Sequence, residues 1–473
     1  MNLPELPAVS PLFPRPEDRR QIEALLSGTL AGVEERIAAG RVTPTVSLDC
    51  FREELTHFDF EASEPLGALV SWLVASLEIG ITHVTHPRYF GLFNPSPTYA
   101  SQCADRIAAV FNPQLATATT SPVPVEIERH MIRAVATRSG LPPGASGHFT
   151  TGGSEANATA LVCALTAAHQ EFGHRGARCF AGQPCIYISR EAHLAWLKIA
   201  HMTGIGRDGV RQIATDGSGR MSAEALAARV EADRRDGCFP VMIVGTAGTT
   251  GAGMIDPLSA CAEIARDAGA WYHVDAAWAG AAIASDRIRG VLAGMESADS
   301  VTIDAHKWFA ATMGCGMFLT SRPAVLSRAF EATTSYMPSN LPLQDPYVSS
   351  MQWSRRFLGA RLFLSLGAVG WRGYALHVER AVRVADTIRE ALAASGWISV
   401  NTSPVAVLCL EPPPGSPDVR TVVQRVLASG SAYVSVATFE GRETVRVCVT
   451  HGASSSQDIS ILVQALESAR QAN

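Results

Sequence analysis

The stretches HVDAAWAG (residues 273–280) and TIDAHKWF (residues 302–309) each carry an acid and a histidine two residues apart. They follow or contain short apolar runs typical of β-strands, at residues 271–274 and 301–303, and similar runs lie at residues 186–189 and 241–245. If strand continues through the quoted stretches, each acid shares a sheet face with its histidine. Because the runs alternate with Ala-rich helical segments, the sequence predicts an α/β fold with a mostly parallel sheet. Polar residues follow each run, at the strand ends where such sheets bind ligands.

Around this sheet the sequence predicts three segments. Residues 1–85 show the apolar spacing of helices and are expected to form an N-terminal helical segment. Residues 86–355 contain the strand and helix alternation and form the predicted large domain. Residues 356–473 start with a long amphipathic helix and continue as a smaller α+β domain. The elements expected there are a helix at 362–395, strands at 406–410, 432–436 and 445–449, and a last helix from residue 457.

The composition excludes several classes of partner. Charged residues make up 18% of the 473 residues and the net charge is −5, so no basic surface is expected for nucleic acid or anionic membranes. No apolar stretch reaches the roughly 18 residues of a membrane span. The N-terminus lacks the basic and apolar parts of a secretory signal. Ten cysteines without a CxxC pair are typical of reduced structural thiols, and we expect a cytoplasmic location.

The second quoted stretch contains Lys307, and the only other lysine of the chain is Lys198. One interpretation of the neighbouring side chains is a divalent metal site, with four candidate ligands: His273, Asp275, Asp304 and His306. An ammonium group beside a bound metal would be electrostatically unfavourable. A lysine at the carboxyl edge of a sheet instead suits a covalent imine, so we predict no metal here.

The segment TTGGSEAN (residues 150–157) places two glycines and a serine at the start of a helical run. Glycines let backbone N–H groups approach an anion, and a helix start adds a positive dipole end, although a serine after a glycine turn begins many helices. Pyridoxal 5′-phosphate (PLP) needs such a phosphate site, a lysine such as Lys307 for a Schiff base, and a carboxylate such as Asp275 for its pyridine nitrogen. His193 follows the strand run at 186–189 and is placed to stack on the ring. Together these features predict a PLP enzyme.

Five ordered motifs closely resemble the group II PLP-dependent amino acid decarboxylases, which include aromatic-L-amino-acid, glutamate and diaminobutyrate decarboxylases. The motifs are TTGGSEAN, SREAHLAW (189–196), GTAGTTGAG (245–253), HVDAAWAG and DAHKWF (304–309). The resemblance extends from about residue 86 to the C-terminus. It implies the aspartate-aminotransferase-like fold (fold type I) and a homodimer with active sites at the interface. Residues 1–85 would then form dimer contacts, and the large domain would bind PLP.

The resemblance also implies a role for each motif residue. Lys307 is expected to bind the cofactor, Asp275 its pyridine nitrogen, and His193 and Ala277 its two ring faces. Thr246 is expected near O3′ of the cofactor. The phosphate-binding positions are Gly153, Ser154, Asp304 and His306. Several relatives have Asn where this chain has Asp304, and a carboxylate beside a phosphate is repelled unless it is protonated or turned away.

Substrate-side residues are expected from three further stretches. Tyr336, in TTSYMPSN, matches the family tyrosine that protonates the substrate α-carbon in the other subunit's site. YFGLFNPSP is expected to supply Leu92 and Phe93, and the QLATATTSP stretch of the other subunit Gln114 and Leu115. Such a pocket is apolar and favours an amino acid with an apolar or aromatic side chain. Candidates for binding a substrate carboxylate are Arg355, Arg356 and Arg446.

The predicted reaction is decarboxylation of an L-amino acid to an amine and carbon dioxide. One alternative is another PLP reaction on the same scaffold, either a carbon–carbon lyase or a decarboxylating aldehyde synthase. A non-catalytic PLP-binding protein is a third interpretation, which the intact set of Lys307, Asp275 and His193 disfavours. The sequence does not determine which amino acid is the substrate.

Overall fold

The computed structural model of the chain describes residues 12–330, 332 and 344–471. The N-terminal segment contains four helices in its described part: α1 (Pro16–Leu30), α2 (Val33–Ala39), α3 (Leu48–Leu55) and α4 (Leu66–Gly80). None of their residues is buried, even in the largely apolar α4. The helices form as predicted, but within the described chain their apolar side chains remain partly or fully exposed.

The main sheet is built from seven short strands. They are β1 (Ser146–Thr150), β2 (Pro184–Ser189), β3 (Val210–Ile213), β4 (Phe239–Thr246), β5 (Trp271–Asp275), β6 (Ser300–Asp304) and β7 (Gly316–Thr320). The inner strands are runs of apolar residues that are buried almost throughout, as expected for a sheet covered by helices on both faces. The helices of this part are α5 (Tyr99–Phe111), α6 (Pro122–Arg138), α7 (Gly153–Ala168), α8 (Phe172–Arg175), α9 (Ala195–Met202), α10 (Ala223–Arg235), α11 (Leu258–Ala268) and α12 (Ala324–Phe330).

The strand order of the main sheet is β1-β7-β6-β5-β4-β2-β3. Strands β6, β5, β4, β2 and β3 are parallel to one another, whereas β7 is antiparallel to both β1 and β6. The predicted mostly parallel sheet is confirmed, with one antiparallel strand added. Thr246 pairs with Asp275, and Asp275 pairs with Thr302, so β4, β5 and β6 end at the same edge of the sheet.

The C-terminal part is the smaller α+β unit that the sequence predicts. It consists of α13 (Gly359–Ala393), β8 (Ile398–Ser399), β9 (Val407–Glu411), α14 (Val419–Ser429), β10 (Ser435–Phe439), β11 (Arg442–Cys448) and α15 (Ser456–Gln471). The four strands form an antiparallel sheet in the order β10-β11-β9-β8. Helix α13 is interrupted at Gly370, whose φ of 65° and ψ of 176° lie outside the helical region. A residue with a side chain would be strained in that conformation.

One predicted strand of this part is placed wrongly. The run at residues 432–436 is expected to be a strand, but β10 begins only at Ser435. Tyr433 instead exchanges backbone hydrogen bonds with residues 88–90, where its N–H donates to Arg88 and its carbonyl accepts from Phe90. The apolar character of this run therefore comes from packing against the stretch before α5.

The four predicted strands of the large domain agree with β2, β4, β5 and β6 to within two residues at either end. Strands β1, β3 and β7 are not predicted from the sequence. Across the described ranges of the chain, no helix has both the length and the apolar character that crossing a membrane requires.

Candidate active site

A cavity of about 300 Å³ opens at the edge where β4, β5 and β6 end. Each of these strands delivers a side chain to it from its last residue, namely Thr246, Asp275 and Asp304. The structure brings together ten residues that the sequence indicated. They are Phe93, Gly153, Ser154, His193, Thr246, Asp275, Ala277, Asp304, His306 and Lys307.

Asp275 is held in place by two N–H donors. Its Oδ2 accepts a hydrogen bond of 2.8 Å from Asn157 Nδ2, and its Oδ1 accepts one of 3.1 Å from the backbone N–H of Ala277. His273 lies two residues earlier on β5 and contacts the same Asn157, so this acid and histidine share a face as predicted. Burial lowers the pKa of His273 to about 4, against the opposing effect of the Asp275 charge. The imidazole is therefore neutral at ordinary pH.

Lys307 follows β6 in a turn and carries a buried counterion. Its Nζ lies 3.1 Å from Asp304 Oδ2, and the same oxygen is 3.9 Å from His306 Nε2. Strand does not continue through this second stretch, because β6 ends at Asp304 and the chain then turns, so Asp304 and His306 do not share a strand face. His306 is instead fixed by Cys315, whose carbonyl lies 3.0 Å from His306 Nδ1. The turn still places all three side chains in the cavity.

The start of α7 faces the same cavity. Helix α7 begins at Gly153, and its first turn includes Ser154. A Cβ atom at Gly153 would lie only 2.9 Å from Asp304 Oδ2, so glycine keeps the end of the helix open. The unpaired N–H groups and the positive end of the helix dipole make this a suitable site for an anion.

Thr246 lies between the cavity and a buried carboxylate. Its backbone N–H donates to Asp256 Oδ2 at 2.8 Å, while its hydroxyl is buried and makes no hydrogen bond of good geometry within the described structure. Burial raises the pKa of Asp256 to about 6, although backbone donors from Met221 and Thr246 oppose the rise. The Thr246 side chain also opposes that rise, so this threonine faces both the carboxylate and the cavity.

The apolar wall of the cavity is aromatic. Phe93 stacks on Trp278 with ring centres 4.1 Å apart and planes inclined by 20°, and Trp278 stacks on Trp308 at 4.8 Å. The guanidinium of Arg446 lies 4.6 Å from the centre of the Phe93 ring, and Lys307 Nζ lies 5.9 Å from it. Phe93 thereby separates the lysine from the body of the small domain.

Three residues predicted on the substrate side are not among those that line this cavity within the described chain. Leu92 and Gln114 are exposed, and Gln114 and Leu115 are expected in the other subunit's site rather than in this one. The side chain of Leu115 is fully buried against Ala118 and Val125 of its own chain. Tyr336 lies outside the described residues.

The sequence reasoning missed Asn157, Trp278 and Met313, which also line the cavity. Asn157 belongs to the quoted segment TTGGSEAN, and a polar amide within an apolar helix is the signal that could have identified it. Ser300 was missed as well, because its contact with His273 depends on the register of β5 against β6.

The residues present fit PLP rather than a metal. The start of α7 offers an anion site at the cavity, and the buried hydroxyl of Thr246 lies at the same strand edge. Asp275 supplies a buried carboxylate and Lys307 an amine at the same edge. Among residues 12–330, 332 and 344–471, no group of three or more His, Cys, Asp or Glu side chains is arranged to hold a metal ion.

The fold and the site together define a PLP-binding α/β enzyme. The family model described as the pyridoxal-dependent decarboxylase conserved domain matches residues 58–409, and the chain belongs to this family. An aromatic-L-amino-acid decarboxylase of Bacillus atrophaeus is 25% identical over 432 residues, which cover 88% of each chain. An acidic amino acid decarboxylase of Bos taurus is 32% identical over 314 residues, which cover 65% of this chain and 60% of the relative.

Solved structures agree on the fold. The crystal structure of Oryza sativa TDC with PLP and tryptamine superposes with a TM-score of 0.91, at 23% identity, over 98% of this chain and 99% of that one. Mouse CSAD gives the same TM-score over 97% of this chain and 100% of the other. The chain therefore has the aspartate-aminotransferase-like fold (fold type I) and is a PLP-dependent amino acid carboxy-lyase. Because relatives named for aromatic and for acidic amino acids both match, the substrate is not settled by similarity.

Proposed function

We propose that the enzyme converts an L-amino acid with an apolar or aromatic side chain to the corresponding amine and carbon dioxide. The observation that supports this preference is the aromatic wall formed by Phe93 and Trp278, which lies beside Lys307. A substrate held next to the lysine would place its side chain against this wall. Flat aromatic surfaces bind apolar and aromatic groups through burial and ring stacking.

Lys307 and Asp275 are our proposed catalytic residues. When bound, PLP supplies an electron-poor ring that accepts the electrons of the bond to the departing carboxylate. Lys307 would hold the cofactor through its amine between turnovers. Asp275 would hold the proton on the pyridine nitrogen, because its buried carboxylate is fixed by two donors and stays aimed into the cavity.

The other cavity residues would bind and orient the cofactor. We assign the phosphate to the start of α7, at Gly153 and Ser154, with His306 beside it. Thr246 would place its hydroxyl near O3′ of the cofactor, and the proposed ring contacts are His193 on one face and Ala277 on the other. Asp304 differs from these, since its distance of 3.1 Å to Lys307 Nζ makes it a counterion of the lysine.

Proton return to the substrate α-carbon needs an acid within hydrogen-bond reach. Our candidate is Tyr336, on the family resemblance alone, because it lies outside the described residues. His193 lines the cavity and is the alternative donor within the described chain. Its Nδ1 accepts the N–H of Ala195 at 3.1 Å, so the ring is oriented by its own helix start.

Of the three candidate arginines, Arg446 is best placed to bind a substrate carboxylate. Arg355 is buried in an ion pair of 3.1 Å with Glu128, and Arg356 is exposed to solvent. Arg446 is buried beside Phe93, where one of its Nη atoms donates to the carbonyl of Gly91 at 2.7 Å. Its Nε and its other Nη have no hydrogen-bond partner among the described residues.

We further propose that the active enzyme is a homodimer whose contacts include residues 1–85. Helices α1 to α4 bury none of their residues within one chain, although α4 carries leucines such as Leu66 and Leu73 that are 53% and 52% exposed. Exposed apolar area of this extent is typical of a surface that packs against another subunit. Sedimentation equilibrium of the full chain, with Leu66→Glu and Leu73→Glu variants, tests this assembly.

A cytoplasmic location is part of the same proposal. All ten cysteines are free thiols, and six of them are buried, as expected in a reducing compartment.

An amino-acid panel scored for carbon dioxide and amine tests the proposed reaction. PLP-loaded enzyme should release both in equal amounts, with tryptophan, tyrosine, phenylalanine or leucine preferred over glutamate and aspartate. Lys307→Ala serves as the inactive control. A preference for an acidic amino acid would refute the substrate proposal. Aldehyde instead of amine would identify a lyase or an aldehyde synthase, and release of neither product from any amino acid would favour a binding role.

A further inference from the structure

A buried chain of hydrogen bonds leads through the main sheet to Asp275. Trp271 Nε1 donates to Ser300 Oγ at 2.8 Å, and the same Oγ lies 2.8 Å from His273 Nδ1. His273 Nε2 lies 3.1 Å from Asn157 Oδ1, and Asn157 Nδ2 donates to Asp275 Oδ2 at 2.8 Å. All five residues are between 0 and 6% exposed. Solvent therefore does not compete for these bonds.

The arrangement follows from strand geometry. Trp271, His273 and Asp275 alternate along β5 and point to one face of the sheet. Ser300 begins β6, and the register of the two strands pairs it directly with His273. Asn157 reaches this face from the second turn of α7. Three separate elements thus contribute to one line of contacts.

Among these five residues, one direction of donation satisfies every group while Asp275 is charged, and Thr302 Oγ1 also lies 3.5 Å from His273 Nε2. An indole N–H can only donate, and a carboxylate can only accept. Asn157 must therefore turn its NH₂ to Asp275 and its oxygen to His273, which places the imidazole proton on Nε2. Because burial lowers the pKa of His273 to about 4, the ring is neutral and its Nδ1 accepts the hydroxyl proton of Ser300. That serine in turn accepts the Trp271 N–H.

If the direction of donation along this chain of hydrogen bonds were reversed, Asp275 would have to be protonated. If the His273 proton moved to Nδ1, Nε2 would become an acceptor and Asn157 would turn its NH₂ towards it. The Asn157 oxygen would then face Asp275, which could satisfy it only as a carboxylic acid. The tautomer of a histidine two residues away is in this way coupled to the charge of the carboxylate.

We propose that a relay of four positioning residues keeps Asp275 charged and aimed into the cavity: Trp271, Ser300, His273 and Asn157. The inference rests on the proposed contact of Asp275 with the pyridine nitrogen of PLP. Each donor to the carboxylate favours its charged form and so favours the proton on the pyridine nitrogen. When the relay is broken, that proton moves to Asp275 and the cofactor binds less tightly.

A neighbouring tryptophan provides a matched control. Trp196 is fully buried and packs edge-on against His273, with ring centres 5.6 Å apart. Its Nε1 has no hydrogen-bond partner in the described part of the chain. Trp196→Phe and Trp271→Phe therefore remove equal volume next to the same relay, but only the second removes a donor from it.

The experiment compares Asn157→Ala, Ser300→Ala and Trp271→Phe with Trp196→Phe and with the parental enzyme. The first readout is the ¹⁵N chemical shift of the pyridine nitrogen in labelled PLP bound to each protein, and the second is the dissociation constant of PLP. We expect Asn157→Ala to shift the nitrogen towards its unprotonated value and to weaken PLP binding by roughly 10- to 100-fold. Ser300→Ala and Trp271→Phe should give smaller changes in the same direction, and Trp196→Phe none.

Two outcomes would overturn the relay. One is an unchanged ¹⁵N shift in Asn157→Ala, and the other is an equal effect of the two tryptophan variants. If Asn157→Ala does not fold, the tryptophan pair decides the question, since both variants lose the same indole. The Asp275→Ala variant shows whether a negative result disproves only the relay or also the proposed contact between Asp275 and the pyridine nitrogen. If that variant also leaves the nitrogen protonated, Asp275 does not contact it, and the proposed role of the carboxylate is wrong.

Discussion

Replacing Asp304 with Asn should tighten PLP binding while changing the binding of pyridoxal, which lacks the phosphate, much less. Asp304 Oδ1 is buried without a partner in the described chain, and Oδ2 lies 2.9 Å from where a Cβ of Gly153 would stand. The carboxylate therefore faces the start of α7, where we place the phosphate. A negative charge at this position opposes a phosphate, and asparagine removes the charge while keeping the shape.

The expected gain in PLP affinity follows from the distance between the two negative charges and from the positive charge that offsets their repulsion. Two unit charges about 4 Å apart interact by about 4 kcal/mol at an effective dielectric constant of about 20. Lys307 Nζ, 3.1 Å from Asp304 Oδ2, neutralises part of this repulsion. We expect a net gain of about 1–2 kcal/mol, or a roughly 5- to 30-fold lower dissociation constant for PLP.

Titration of the cofactor-free enzyme with PLP and with pyridoxal, followed by absorbance, measures both affinities. Loss of the Lys307 counterion affects both ligands alike, so the ratio of the two affinity changes isolates the phosphate. An equal change for PLP and pyridoxal would refute the reasoning, as would weaker PLP binding by Asp304→Asn. Either result would show that Asp304 is turned away from the phosphate, or protonated, once the cofactor is bound.

Three further predictions concern other parts of the chain. Borohydride reduction and peptide mass mapping should find the phosphopyridoxyl group on Lys307, since Lys198 is an exposed residue of α9; an adduct on Lys198 would contradict the site. Arg446→Met should raise KM by roughly 10-fold or more with a smaller change in kcat, whereas Arg356→Met at an exposed position should leave both unchanged. Burial, with a smaller effect of nearby positive charge, lowers the pKa of His148 to about 3, so its protonation favours the unfolded chain and stability falls as the pH drops below 6.5. Urea unfolding at about pH 7 and 5 should therefore show His148→Phe losing about 1–2 kcal/mol less than the parent; an equal loss would show that this histidine does not titrate on unfolding.

Much of the main sheet could be predicted because its inner strands are continuous apolar runs. Strand β1 could not be predicted, because its sequence SGHFT contains only one strong strand-forming aromatic residue among glycine and polar residues. β7 is apolar and buried, but its antiparallel direction is set by its two neighbours and leaves no mark on the residue pattern. A strand that is buried on both faces has the same apolar residue pattern whether it runs parallel or antiparallel to its neighbours.

The motif residues of the site were predictable because PLP chemistry requires particular residue types at the strand ends. The residues that orient them were not, because Ser300 and Asn157 depend on strand register and on how α7 lies across the sheet. Leu115 is a predicted pocket residue whose packing the sequence did not reveal. The sequence places it beside other predicted pocket residues, but it does not show that the side chain packs against Ala118 and Val125 of its own chain.

The place of β7 in the sheet also determines the order in which a growing chain can complete this site. β1 ends at Thr150, and its one neighbour in the sheet, β7, begins 166 positions later at Gly316. At the usual rate of about 5–20 residues per second, a ribosome needs roughly 8 to 33 s to cover that distance. During this interval the strand that leads into α7 has no partner in the sheet, even after Lys307 has been synthesised. The strand that leads into α7 therefore joins the sheet only when translation has passed residue 320.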